Sequence, residues 1–201
     1  MKDMHAQSTK GRWYGHIFRR LVHVSMLLIP LVYYAYGESI AGFFSLSTHF
    51  FLLILLVVVM LVECLRLRLG LVIFGQRRHE ARHISSFSWG MIGILLVLLI
   101  SPSRSFSIPI IWCLALVDPL LGELRHLMKR VIEIEIIGVA ASLAIWWICG
   151  SWWLGLSPWW GVFMAPLTIV AEWIQLKWID DNALMLLIPL AVIKVVEQFM
   201  R

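Results

Sequence analysis

Long apolar runs alternate with short polar stretches along this chain. Seven runs are apolar enough to sit in hydrocarbon: 21–36, 48–65, 84–100, 107–121, 131–149, 159–176 and 183–199. A helix needs roughly 20 largely apolar residues to cross a bilayer, and fewer where its flanks contribute. Each run is therefore read as a membrane helix. The fourth is short and ends in Asp118-Pro119, so a broken or half-inserted helix is expected there. The predicted fold is all-α: a polytopic membrane protein with about seven transmembrane helices. A basic N-terminal arm over 1–20 precedes a single transmembrane domain over 21–201. No cleavage-type cluster of small residues ends the first run, so it is expected to remain as a helix and not to be removed as a signal peptide. No repeat or linker divides the rest.

Composition strengthens the membrane reading. Apolar residues make up 61% of the 201, charged residues 14%, and mean hydropathy is +0.86. A soluble domain carries about 25% charged residues. Eleven tryptophans suit the headgroup level of a bilayer. The net charge of +5 lies in the short loops, which points to membrane topology and away from nucleic acid. Cys64, Cys113 and Cys149 are far apart and have no metal-type spacing, so they are read as buried thiols.

Basic residues orient the chain, because Lys and Arg are retained on the cytosolic side. With seven spans, only Arg104, Lys194 and Arg201 of the 17 Lys and Arg fall on one side; the rest fall on the other. The N-terminus is therefore expected in the cytosol and the C-terminus outside, in a bacterial cytoplasmic membrane.

That topology brings the costly residues to one depth. His23, Glu63, Asp118, Glu133, Glu135, Glu172, Asp180, Asp181 and Asn182 all fall at inner helix ends or inner loops, while Glu38 and Glu197 are the only outer acids. A charge at the bilayer centre costs about 2.5–3.5 kcal/mol on insertion scales, so a set of them at one level calls for a cause. Each has a structural explanation of its own. His23 fits an interfacial position, and Glu63 with Arg66 is an i, i+3 pair. Asp118 can serve a turn before proline, and the Asp180–Asn182 stretch can cap the next helix. Glu172 can pair with Lys177 or with an arginine. Glu133 and Glu135 point to different sides, so at least one is expected to be solvated. Taken together, clustered carboxylates ask for a cation, and oxygen ligands suit Mg²⁺, which usually arrives with phosphates. Arg19, Arg20, Arg66, Arg125, Lys129, Arg130 and Lys177 lie at the same level and suit a phosphate clamp. No Gly-x-x-x-x-Gly-Lys-Ser/Thr loop is present, so a P-loop enzyme is excluded.

The order of these elements resembles a known family. Arg19-Arg20-Leu-Val-His23, Glu63-x-x-Arg66, Ala115-Leu-Val-Asp118 with Gly122, and Glu172 followed by Asp180-Asp181-Asn182 and Pro189 resemble the dolichol kinase, phytol kinase and polyprenol kinase family. The resemblance runs over nearly the whole chain. It implies a CTP-dependent, Mg²⁺-dependent kinase of a lipid alcohol, with a membrane lipid and a nucleoside triphosphate as partners. It implies Asp118 and Asp181 as catalytic residues and Asp118, Asp180 and Asp181 as metal ligands. Arg20, His23, Arg66, Arg125, Lys129 and Arg130 would bind phosphate, with Glu63, Glu135, Glu172 and Asn182 lining the pocket. Related enzymes transfer a cytidylyl group to a lipid phosphate, and a non-catalytic lipid-binding or transport role on the same fold also stays open. Which lipid is bound and the oligomeric state are open too. A reporter active only outside the cytosol should be active when fused after Arg201 and silent when fused before Met1; the reverse result would overturn this orientation.

Overall fold

The computed structural model describes residues 9–174 and 176–200; the first eight residues of the predicted arm and Arg201 lie outside them. Among the described residues every element is helical, apart from one isolated antiparallel bridge between Thr9 and Arg77. Eight α-helices follow in order: α1 Arg12–Ser25, α2 Leu28–Phe43, α3 Thr48–Arg68, α4 Ser86–Ile100, α5 Arg104–Leu127, α6 Val131–Ile145, α7 Trp159–Trp173 and α8 Asp181–Met200. A 3₁₀ turn, Arg78–Ala81, interrupts the α3–α4 loop, and a π-helical stretch, Trp146–Trp153, prolongs α6.

Each predicted run is largely helical, the first as parts of two helices, but not every helix is long enough to span. Four are long and apolar enough to cross a membrane: α3, α5, α8, and α6 continued to Trp153. The pair α1 and α2 makes a fifth if counted as one span bent by 46°. The described residues thus hold four or five helices fit to cross a membrane. At 15 residues each, α4 and α7 reach only about 22 Å at 1.5 Å per residue, short of a hydrocarbon core of roughly 30 Å.

Two expectations are corrected. The first run is not one helix starting at residue 21. Helix α1 begins at Arg12, inside the predicted arm, because Trp13, Tyr14, Ile17, Phe18, Leu21 and Val24 form a stripe at three- and four-residue spacing. It ends at Ser25, and α2 starts after a bend, because Pro30 has no N–H for the carbonyl of Met26. The expected break at Asp118-Pro119 does not occur: α5 runs unbroken through Pro109 and Pro119. It is the most enclosed of the spanning helices, with 61% of its most apolar window buried, and packing on every side holds it together despite two missing N–H groups.

The core lies where α4, α5, α6, α7 and α8 meet, around Ile94, Val97, Ile111, Leu114, Leu121, Ile169, Met185 and Leu186. Small residues allow close approach. A Cβ on Gly93 would fall 2.6 Å from Leu186 Cδ1, and one on Gly138 would fall 2.7 Å from Leu121 Cδ2. Helix α3 instead stands at the edge, with long apolar side chains such as Val57, Leu61 and Val62 exposed.

One buried ion pair fixes the polar end of the bundle. Glu63 and Arg66 are 5% and 3% exposed. Arg66 donates from Nε and Nη2 to the two Glu63 oxygens, at 2.9 and 2.8 Å. Its remaining N–H groups go to the carbonyls of Leu71, Glu80 and His83. Glu63 also accepts from the Ser85 N–H and the Ser88 hydroxyl, at 2.6 and 2.8 Å. All five guanidinium N–H groups are used, and they tie the α3–α4 loop down onto α3 and α4. Removing one partner of such a pair leaves an uncompensated buried charge, at a cost of about 3–5 kcal/mol. Glu63→Ala is expected to lower the thermal midpoint of the purified protein by that order, and an unchanged midpoint would show that the pair does not hold the loop.

Candidate functional site

Carboxylates taken out of water need donors or cations around them. Acids from four helices, α5 to α8, gather with too few of either. Asp118 lies two-thirds of the way along α5, one helix turn before Gly122. His23, near the end of α1, is 3% exposed and sets Nδ1 3.5 Å from Asp118 Oδ2. That distance is an ion-pair approach and not a hydrogen bond, so the buried Nδ1 has no hydrogen-bond partner.

Glu172, at the end of α7, and Glu135, in the first turns of α6, face each other across Arg125 of α5. Arg125 Nη2 lies 2.8 Å from Glu172 Oε2 and 3.8 Å from Glu135 Oε1. Neither Glu135 oxygen has a hydrogen bond, nor does Glu172 Oε1. Arg125 keeps nearly half of its side chain exposed, so it retains donors for something else.

The third group is the start of α8. Asp180 Oδ2 accepts from Ser86 Oγ at 2.8 Å, and the Asn182 N–H donates to Asp180 Oδ1 and Asp181 Oδ1 at 3.2 and 3.0 Å. Asn182 Nδ2 reaches the Ser86 carbonyl at 3.3 Å, which leaves the buried Asn182 Oδ1 unpartnered. Capping is part of this stretch's work, since the Ala183 and Leu184 N–H groups close on the Asp180 carbonyl. The three groups share one field. Asp181 lies within electrostatic reach of Asp180, Asp118 and Glu172; Glu172 feels Asp118, Glu135 and Arg125; His23 feels Asp118 and Asp180.

The expected phosphate-binding residues divide. Arg125 and His23 are in the site. Arg20 stands at its rim, where its Nε donates to Glu123 Oε1 at 2.9 Å beside His16, and its guanidinium lies over Gly122, where any side chain would collide with it. Arg66 is a correction: every N–H it has is spent on Glu63 and the loop, so none is left for a phosphate. Glu63 goes with it, a fastener and not a pocket wall. Lys129 and Arg130 are exposed in the turn between α5 and α6, and Arg130 pairs with the outlying Glu133 at 2.8 Å. The expected division between Glu133 and Glu135 is observed: the first is solvated and the second is buried.

No family model, curated protein or solved structure matches this chain. The geometry therefore has to carry the functional argument. Among the described residues no three His, Cys, Asp or Glu side chains converge as a ready-made metal cage. The donor set does suit a divalent cation that keeps water and shares phosphate oxygens, since Mg²⁺ commonly takes only one or two carboxylates. Asp118, Asp180 and Asp181 have the right chemistry for that.

Residues without a role in the sequence reading also stand here. Ser86 binds Asp180, and its signal was the Ser85-Ser86-x-Ser88 cluster at a helix start. Arg77, read only as a loop charge, lies within reach of Asp180 and Asp181. Burial, with Arg19 beside it, draws its guanidinium below its ordinary value, against the pull of Glu80, Asp181 and Asp180.

A buried carboxylate without hydrogen bonds destabilises the fold that holds it. Replacing such a group with an apolar side chain of similar volume often stabilises by about 1–4 kcal/mol. Glu135→Leu should raise the thermal midpoint, the opposite sign to Glu63→Ala. A fall would assign Glu135 to the scaffold.

Proposed function

We propose that the chain transfers a phosphoryl group from a nucleoside triphosphate, CTP by the family resemblance, to a membrane lipid alcohol. The observation that supports this most is that Asp118, Glu172 and Asp181, from three helices, lie within electrostatic reach of one another, with a half-exposed Arg125 bound to Glu172. A scaffold gains nothing from assembling like charges whose buried oxygens lack donors; a site that receives a metal–polyphosphate complex does.

In this reading α4 and α7 complete seven crossings with the help of their polar flanks. The N-terminus is cytosolic, and the acids open to the cytosolic side of a bacterial cytoplasmic membrane. Mg²⁺ bound with the nucleotide would supply charge neutralisation on the transferring phosphoryl group. Asp180 and Asp181 hold that charge at the start of α8, where Ser86 and Asn182 fix their carboxylates. Arg125, fastened to Glu172 by one N–H, turns its free donors to the phosphates. Asp118 takes the proton of the lipid alcohol as its oxygen bonds to the γ-phosphorus. The bond from that phosphorus to the β–γ bridging oxygen breaks, and the nucleoside diphosphate leaves. His23 is a positioning residue, holding the Asp118 carboxylate from behind. Such transfer depends mainly on alignment and charge, which is what these residues offer.

Incubation of the membrane-reconstituted protein with γ-labelled CTP or ATP and total membrane lipids, followed by chromatography of the organic phase, tests this directly. Label is expected in lipid, reduced by ~10²-fold or more in Asp118→Asn and in Asp181→Asn without loss of folded protein. Label released as pyrophosphate would replace kinase by cytidylyl transfer. Full activity in both variants would remove the site assignment, and no turnover with any nucleotide would favour a lipid-binding role.

A further inference from the structure

We propose that the outward face of α1 and the apolar part of the α3–α4 loop form one lipid-contact surface, seated in the headgroup layer and the adjoining acyl carbons of the leaflet at the polar end of the bundle. The basic residues around both segments predict a water-facing arm and a water-facing loop, so the charge pattern hides this surface. The inference does not depend on the phosphotransfer reading.

Helix α1 is amphipathic with its faces reversed. His16, Arg19, Arg20 and His23 recur at three- and four-residue spacing and turn toward the protein. His16 Nε2 and Arg20 Nε meet Glu123 Oε1 at 3.1 and 2.9 Å, and Arg19 Nη1 donates to Glu80 Oε1 at 3.2 Å. His23 approaches Asp118 at 3.5 Å. The apolar stripe is left on the outside, with Tyr14 76% and Leu21 63% exposed and Trp13, Ile17, Phe18 and Val24 exposed beside them. A helix on a water-facing surface does the opposite and turns its apolar stripe inward.

The loop continues this face. Leu69, Leu71, Ile73 and Phe74 are all exposed, where a loop in water presents polar side chains. Phe74 sets its ring edge-on to Phe18 with 5.5 Å between centroids, which joins the two segments. It also lies over Gly11, whose φ of 93° favours glycine and where a Cβ would collide with the Phe74 ring. The backbone holds the join: the Lys10 N–H donates to the Gln76 carbonyl at 2.8 Å and the Gly75 N–H to the Lys10 carbonyl at 3.0 Å. The apolar side chains of both segments are thus fixed in one surface.

Its continuity with the helix walls identifies lipid as what covers it. Helix α3 is long and apolar enough to cross a membrane, and its exposed Leu61, Val62 and Leu65 lead directly into Leu69 just past its end. The loop therefore starts at the level where α3 leaves the hydrocarbon. At the other end, the face of α1 runs on through Val24 to the exposed Leu28 and Val32 of α2. Trp13 and Tyr14 are residue types enriched at headgroup level. The exposed Arg12 and Arg68 stand next in sequence to Trp13 and Leu69, where anionic headgroups would meet them. The same helix then faces the leaflet on one side and Asp118 and Glu123 on the other.

Spin labels on single cysteines test this in the full-length protein, in nanodiscs of phosphatidylcholine and phosphatidylglycerol. The background is Cys64→Ser, which removes the exposed cysteine and leaves the buried Cys113 and Cys149. Tyr14→Cys, Leu21→Cys and Ile73→Cys report the surface, Leu61→Cys reports the acyl region beside α3, and Arg78→Cys reports water. The three surface labels are expected to be open to oxygen and shielded from a water-soluble nickel chelate, with an oxygen-to-nickel access ratio nearer that of Leu61→Cys than that of Arg78→Cys. Nickel access equal to Arg78→Cys on either segment puts that segment in water and overturns the inference. Shielding from both oxygen and nickel means that protein covers the face, a second copy of the chain included, and overturns it too. All three side chains are exposed and lie on two segments, so the loss of one variant to misfolding leaves the others to decide. Nickel access at Leu61→Cys as well would remove the membrane reading of α3 along with this inference.

Discussion

The Glu63–Arg66 pair governs how the polar end of this bundle is built. Its two charges are almost completely desolvated, and the arrangement is tolerable because each lone pair and each N–H has a partner. Arg66 uses three of its donors on backbone carbonyls of the α3–α4 loop, so the loop cannot leave without exposing the pair to a large loss. Glu63 in turn accepts from Ser85 and Ser88, which sets where α4 begins. The start of α4 then places Ser86 against Asp180, and through it the start of α8. One ion pair thus sets the register between α3, the loop, α4 and α8.

A few ångströms of sequence logic away, the same residue types are treated in the opposite manner. Glu135 is as buried as Glu63 but has no hydrogen bond, Glu172 is satisfied on one oxygen only, and the His23 and Asn182 side chains each carry a buried unpartnered atom. Burial alone does not explain the difference, because the chain plainly can satisfy a buried acid when it assembles donors around it. Single unpartnered atoms also occur elsewhere among the described residues, at Glu80 Oε2 and Trp146 Nε1, but the other five of the seven fall on His23, Glu135, Glu172 and Asn182. Where every valence is filled, the residues serve the fold; where several neighbouring atoms are left open at once, the fold bears a cost that a bound ligand would offset.

The membrane helices were legible because hydrophobic length is a local property: all seven runs are largely helical. Position along a run also groups the acids at one end of their helices, and Asp181 lies within electrostatic reach of Asp180, Asp118 and Glu172, as Glu172 does of Asp118 and Glu135. Three things were not. Helix α1 hides in a basic segment, where averaged hydropathy is low and only the three-four spacing of Trp13, Tyr14, Ile17, Leu21 and Val24 reveals it. Pro119 reads as a breaker in isolation, but enclosure by neighbouring helices overrides it. Arg66 and Arg77 are indistinguishable as loop-side arginines. Only tertiary contacts show that the first has no free donor, whereas the second's guanidinium makes no hydrogen bond with any described residue.

The position of Glu135 also bears on how a lipid alcohol would arrive. On α6 it is buried beside the buried Ile134, while Ile132 and Ile136 are well exposed. On α7, Glu172 is buried between the exposed Val170 and Trp173. Both acids thus sit on helices that also carry exposed apolar side chains, which in a bilayer face acyl chains. A water-soluble polyphosphate would come from the opposite direction, past the half-exposed Arg125. The proposed chemistry needs two substrates of opposite solubility at one point. The end of this bundle where α5, α6, α7 and α8 carry Asp118, Glu135, Glu172 and Asp181 combines exposed apolar side chains with a half-exposed Arg125.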